Sequence, residues 1–243
     1  MSSDAHTILH AVNRRPRRNG AEFTVEELDA ILSSIGEKTY PKFINSGYHA
    51  AVFWLSDRKK ILKITWDYSD ANACEIIRKK PDLKTFVKVY QVLEVPPRRL
   101  YAIVAEKLTP LSDRVWKEYF SAFVNLFNYN SLEDLMYVEA FRAHGLTPGY
   151  VDSIQMAYEK YKKEMQENVL VNDEWLLPEP SPTSYKKLRQ IGQALEQRQI
   201  VFIDFDQSNF MMRGNTPVLV DLGFGQSPPQ NIPKVLTMNR ATS

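Results

Sequence analysis

Two short apolar runs near the end of the chain each close on an aspartate. Ile200-Val201-Phe202-Ile203 ends on Asp204, and Val218-Leu219-Val220 ends on Asp221, seventeen residues past Asp204. A carboxylate closing a buried, strand-like run is costly unless it has a partner or a chemical task. The fold must therefore bring these two ends to a place where charge is wanted. Five residues past Asp204, Asn209 can curl back into the same loop, and Gly223 frees the backbone to turn after Asp221. Asp206 lies in the first loop as well and is a rival to Asp204.

The chain can bury such groups without covalent staples: it has 243 residues, 44% of them hydrophobic. Cys74 is the sole cysteine, which points to a reducing compartment, and the four histidines make no metal spacing with it. It reads as a small packing residue. The longest clearly apolar run, Leu100-Tyr101-Ala102-Ile103-Val104-Ala105, is too short to span a bilayer. Arg14, Arg15, Arg17 and Arg18 sit where a signal peptide would need an apolar core. The expectation is a cytoplasmic protein with no membrane partner. A net charge of +2 is too mild to indicate a nucleic-acid binder.

Three regions follow from the patterning. Residues 1–22 are polar and basic and read as a flexible arm. Residues 23–108 read as a first lobe with a leading helix: Thr24-Val25-Glu26-Glu27 is a capping box, with Leu28, Ile31 and Leu32 on one face and a stop near Gly36. Strand patterns follow at 43–44, 51–55 and 61–65, then a helix over about 69–79 stopped by Pro81, then strands over 86–93 and 100–108. Residues 109–243 read as a helical second lobe, with helices over about 112–129, from Ser131 to Gly145, over 148–169, and from Thr183 or Ser184 to Gln199. The fold class expected is α+β.

Within that order, several residues acquire a context. Gly47 lies in a turn between strands, in Ile44-Asn45-Ser46-Gly47-Tyr48-His49-Ala50-Ala51-Val52. Lys63 stands in Ile61-Leu62-Lys63-Ile64; strand alternation either turns it to solvent or, with Ile61 and Thr65, to a face where an anion would hold it charged. Glu75 lies mid-helix, and is either a surface glutamate or a partner for Lys63. An acid, an amide five residues on and a second acid at the end of a small sheet supply what phosphoryl transfer needs: a carboxylate to accept a hydroxyl proton, and oxygen ligands for magnesium.

From residue 43 to 226 the chain resembles the protein-kinase-like fold, and more specifically the early-expressed serine/threonine kinases of short-tailed lytic phages. The resemblance rests on Gly47-Tyr48-His49-Ala50-Ala51-Val52, Ile61-Leu62-Lys63-Ile64, Phe202-Ile203-Asp204-Phe205-Asp206-Gln207-Ser208-Asn209 and Val220-Asp221-Leu222-Gly223. It implies a bilobal protein-kinase-like fold, with a small antiparallel sheet in the first lobe and a shortened helical second lobe. It implies ATP and Mg2+, with Ile44, Gly47, Ala50 and Val52 over the nucleotide and Glu106-Lys107-Leu108 as a hinge whose backbone meets adenine. Lys63 and Glu75 would form an ion pair, Asp204 would be the catalytic base, and Asn209 and Asp221 would hold the metal. The partners implied are host proteins, including transcription and translation machinery, phosphorylated on Ser or Thr.

The departures from that family narrow the expectation. Phe202 and Ile203 stand where His and Arg usually precede the catalytic acid, so no activation-loop phosphate has an evident partner. Only twenty residues follow Gly223, with no Ala-Pro-Glu motif, so the helices before Gln199 must supply the second lobe. Two other classes share these features: a small-molecule phosphotransferase of the aminoglycoside or choline type, and a non-catalytic kinase-like binder of a host protein.

Overall fold

The computed structural model describes residues 3–13, 23–46, 50–96, 100–126, 181–200, 207–222 and 227–235. The helices expected over 131–145 and 148–169 lie outside the described residues, as do the Arg14 to Arg18 cluster and the loops carrying Gly47, Asp204, Asp206 and Gly223.

Five antiparallel strands form the first sheet: β1 (Lys42–Ser46), β2 (Ala50–Trp54), β3 (Lys60–Thr65), β4 (Val89–Val95) and β5 (Leu100–Glu106), in the spatial order β1-β2-β3-β5-β4. The run from Leu100 to Ala105 becomes β5, buried along that length because strands flank it on both sides and packed layers cover both faces. Between β3 and β4 the chain makes a helix, residues Tyr68–Lys79, numbered α3 here because two helices precede it. The order strand, strand, strand, helix, strand, strand is the one expected from the sequence.

Register sorts the sheet into two faces. Leu62 and Ile64 pair with Val104 and Ala102 and look one way; Ile61, Lys63 and Thr65 pair with Ala105, Ile103 and Tyr101 and look the other. The first face is covered by α1 (Ser3–Asn13) and α2 (Val25–Ser34), whose Ile8, Val12, Leu28 and Ile31 pack with Phe53, Leu62, Val95 and Val104. The second meets α3 and the C-terminal elements in a separate core of Ile77, Tyr101, Ile103, Leu188, Ile191, Phe210 and Leu219.

The capping box is present: Thr24 Oγ1 accepts from the Glu27 amide at 3.3 Å, and Glu27 Oε2 accepts from the Thr24 amide at 2.9 Å. The structure differs from expectation at the other helix of this layer. Residues 3–13, read as part of a solvated arm, form α1, because Ala5, Ile8, Ala11 and Val12 repeat at helical spacing and are all buried. Ile8→Ala removes a side chain with no exposed surface and is expected to cost about 2–4 kcal/mol. Urea unfolding measures it, and an unchanged midpoint would restore the solvated arm.

The second lobe is described in part. Helix α4 (Asp113–Leu126) packs against α5 (Pro182–Glu196), and Glu118 on α4 accepts hydrogen bonds from the hydroxyls of Ser181 and Ser184 at the α5 N-terminus. A small sheet of β6 (Thr109–Pro110), β7 (Phe210–Arg213) and β8 (Thr216–Leu219) completes it. The β7–β8 hairpin turns through Gly214-Asn215, with Gly214 at φ +58°, as a tight two-residue loop requires at its first central position.

Candidate active site

Lys63 owes its position to β3. Its direct cross-strand neighbours are Val52 on β2 and Ile103 on β5, so it stands in the middle of the sheet on the face turned towards the second lobe. The alternative of a solvent-facing lysine is excluded: its side chain is 12% exposed.

Two carboxylates hold the ammonium. Asp221 Oδ2 lies 2.8 Å from Lys63 Nζ and accepts a hydrogen bond from it, and Asp70 Oδ2 lies at the same distance, off the line of a well-formed hydrogen bond. Burial alone would lower the Lys63 pKa, but the charges of Asp70 and Asp221 outweigh it and raise it, so the group is an ammonium at any physiological pH. Burial pushes Asp70 upward, Lys63 pulls it back in part, and the Asp221 charge adds to the rise. Cys74, one turn on from Asp70, directs Sγ at Asp70 Oδ1 across 3.7 Å. Burial and then the Asp70 charge push that thiol well up, so it stays protonated as a donor, in keeping with its reading as a packing residue.

The expected Lys63–Glu75 ion pair is not formed. Glu75 is equally buried, but Arg78 takes both its oxygens, at 2.7 and 2.8 Å, and Lys79 approaches to 3.5 Å. The reason is helical geometry. Arg78 and Lys79 follow Glu75 by three and four residues and share its face, whereas Asp70 precedes it by five and points elsewhere. Asp70 sits in the first turn of α3, behind the N-cap Asp67, where the helix dipole favours a carboxylate. It is the site residue that the sequence reading missed. A signal existed: Asp70 shares its stripe with Cys74 and Ile77, and a carboxylate in an apolar stripe needs a cation.

The β7–β8 hairpin delivers the remaining groups. Its last register pair is Phe210 with Leu219, so Asn209 and Asp221 emerge from the same end, and the Asn209 carbonyl accepts from the Val220 amide at 2.9 Å. Asn209 follows a short 3-10 turn, Gln207–Asn209, and is buried. Backbone bonds fasten this hairpin to the first lobe: Val87 N–H donates to the Leu219 carbonyl at 2.8 Å, and Leu219 N–H to the Thr85 carbonyl at 2.9 Å. For that reason β4 begins at Val89 and not at Phe86, which pairs with Leu219 instead.

At the hinge position, the Glu106 side chain is committed to protein contacts. It accepts from the Lys88 amide at 2.6 Å and is bound by Arg213 of β7 through Nε and Nη2. Its backbone N–H is engaged as well, donating to the Lys88 carbonyl at 2.9 Å, and the Lys107 N–H donates to the Lys59 carbonyl at 2.8 Å, so neither of these two amides of the expected hinge is open to adenine. Leu108 is half-buried against the second core, while Ile44 lies on β1 and Ala50 and Val52 on β2. Among the described residues no group of three or more His, Cys, Asp or Glu side chains forms a ready cation cage, and no helix is long and apolar enough to cross a membrane.

No protein-family model and no curated protein matches the sequence. Among solved structures the chain is similar to the ternary complex of APH(2'')-IIa with streptomycin and ATP, at a TM-score of 0.39 and 14% identity over 85% of this chain and 74% of that one. It is similar also to the aminoglycoside phosphotransferase APH(2'')-Ib bound to ADP, at 0.38 and 13% over 85% and 73%. A third is the gentamicin complex of APH(2'')-IIa, at 0.35 and 13% over 86% and 73%.

Proposed function

We propose that the chain is an ATP-dependent phosphotransferase of protein-kinase-like fold, working in the cleft between the five-stranded sheet and the β7–β8 hairpin. The observation that supports this most is the convergence on Lys63. Asp221 reaches it across 158 residues of sequence, and the hairpin that carries Asp221 sets Asn209 beside it. A lysine balanced between two carboxylates, one of them 39% exposed, suits a group that must exchange a protein partner for phosphate oxygens.

Asp221 and Asn209 fit magnesium by donor chemistry, since both offer the hard oxygens it prefers. The metal, when bound, would neutralise charge on the phosphates. Lys63 would orient the nucleotide phosphates and Val52 would cover the adenine. The acceptor hydroxyl oxygen forms a bond to the γ-phosphorus as the bond to the β–γ bridging oxygen breaks and ADP leaves. Asp204 would take the hydroxyl proton late in that step. Catalysis of this kind is positioning and charge neutralisation.

The acceptor implied by the resemblance is a Ser or Thr hydroxyl of host proteins. A second reading, a small hydroxylated molecule, is favoured by one observation: residues 227–235 run back to α3 and β4, so the segment past Asp221 gives, among the described residues, no platform for an extended peptide. Incubation with γ-labelled ATP and magnesium, against cell extract in one arm and a panel of hydroxylated metabolites including aminoglycosides in the other, separates the two. Asp204→Ala is expected to abolish label transfer and leave nucleotide binding intact. Full activity in that variant would remove Asp204 from the role, and a dead variant that keeps its full cellular effect would favour the non-catalytic binder.

A further inference from the structure

The side chain of Asn72 is almost wholly buried, and its amide is saturated by a segment far away in sequence. Nδ2 donates to Ser227 Oγ at 2.7 Å, to the Pro228 carbonyl at 2.8 Å and, more loosely, to the Ser227 carbonyl at 3.3 Å. Oδ1 accepts from the Gln230 amide at 2.6 Å and from the Tyr68 hydroxyl at 3.2 Å. Past this grip the segment runs along β4, the edge strand of the sheet: Glu94 N–H donates to the Pro233 carbonyl and Val235 N–H to the Glu94 carbonyl, both at 2.8 Å. Ile232 and Val235 are buried beneath it, in the two different cores.

The contact matters because of what lies on either side of it. Asp70 is two residues before Asn72 on α3, and Asp221 is six residues before Ser227 in the chain. Both acids bind Lys63. A closed ring results, from Lys63 to Asp70, along α3 to Asn72, across to Ser227, back along the chain to Asp221 and so to Lys63. We propose that Asn72 is a positioning residue for phosphoryl transfer: by gripping Ser227 and Pro228 it fixes the N-terminal turns of α3 and the Asp221 segment relative to each other. The two carboxylates then present Lys63 in one place. This role rests on the phosphotransferase reading given above.

The test compares Asn72→Ala, Ser227→Ala and the double variant, each corrected for folded fraction, in magnesium-dependent ATP turnover. Hydrogen exchange at the amides of residues 70–74 is followed alongside. Asn72→Ala is expected to lower kcat by about tenfold to a hundredfold, the loss that accompanies a small displacement of reacting groups, while KM for ATP changes little. Ser227→Ala, which leaves α3 untouched, is expected to lower kcat by about fivefold, the worth of one neutral hydrogen bond. The double variant should be no worse than Asn72→Ala, because both remove one contact, and exchange at 70–74 should rise in all three.

A purely structural role would lower the folded fraction and leave kcat of the folded molecules unchanged, and that result overturns the proposal, as do losses that multiply in the double variant. Should Asn72→Ala fail to fold, Ser227→Ala alone decides: unchanged kcat refutes the role. Wild-type protein that neither binds nor turns over ATP overturns the phosphotransferase reading itself, and the role of Asn72 in transfer falls with it.

Discussion

Lys63→Met is expected to destabilise the protein by about 3–5 kcal/mol, because it leaves the Asp70 carboxylate buried without its cation. Asp70 is only 2% exposed, so water cannot replace the lost ammonium. The burial that already pushes the Asp70 carboxyl upward will then act without Lys63 to oppose it, and the group is expected to take up a proton at neutral pH. Adding Asp70→Asn should therefore recover most of the stability, read as the urea midpoint, since it removes the charge and keeps the shape. It should recover none of the activity: loss of the ammonium that would meet the phosphates is expected to lower kcat/KM about a hundredfold to a thousandfold. Stability that stays low in the double variant would show that the ion pair is not what Lys63 contributes to folding.

Asp221→Ala is expected to behave in the opposite way. The Asp221 side chain is 39% exposed and Lys63 keeps its buried partner Asp70 when Asp221 is lost, so the cost to stability is expected to stay at about 1 kcal/mol. Its loss should fall on the chemistry instead. Nucleotide binding in the variant should lose its magnesium dependence, and phosphoryl transfer should vanish with it. Calorimetric titration of ATP with and without magnesium measures the first. A variant that binds the nucleotide as the wild type does, with unchanged metal dependence, would take Asp221 out of the metal site.

Much of the first lobe could be read from the chain because its signals are local. Short apolar runs bounded by polar turns mark β2, β3 and β5, a capping box opens α2, and Pro81 stops α3. Strand parity put Lys63 on one face with Ile61 and Thr65, but whether that face met solvent or protein depended on layers distant in the chain. What escaped was set by distant partners or hidden by louder neighbours. The arginines at 14–18 drew attention from the apolar stripe that makes α1. Glu75 matched the family spacing, but local pairing with Arg78 claimed it, and the shorter Asp70 reached Lys63 from the first turn. The return of residues 227–235 along β4 has no periodicity to betray it, resting on the Asn72 amide and a bridge at Glu94. Asn209 and Asp221 leave the same end of one hairpin because the Gly214-Asn215 turn fixes its register.

The clasp between Lys63 and Asp221 also sets a schedule for assembly. During synthesis the sheet and α3 leave the ribosome with Asp70 already available, but the second acid follows Lys63 by 158 residues. The edge of β4 stays uncovered until Pro233 and Val235 arrive still later. Contacts of such long range form slowly and only after loop closure. A nascent chain therefore presents its five-stranded sheet well before the segments that complete the Lys63 clasp and cover the edge of β4.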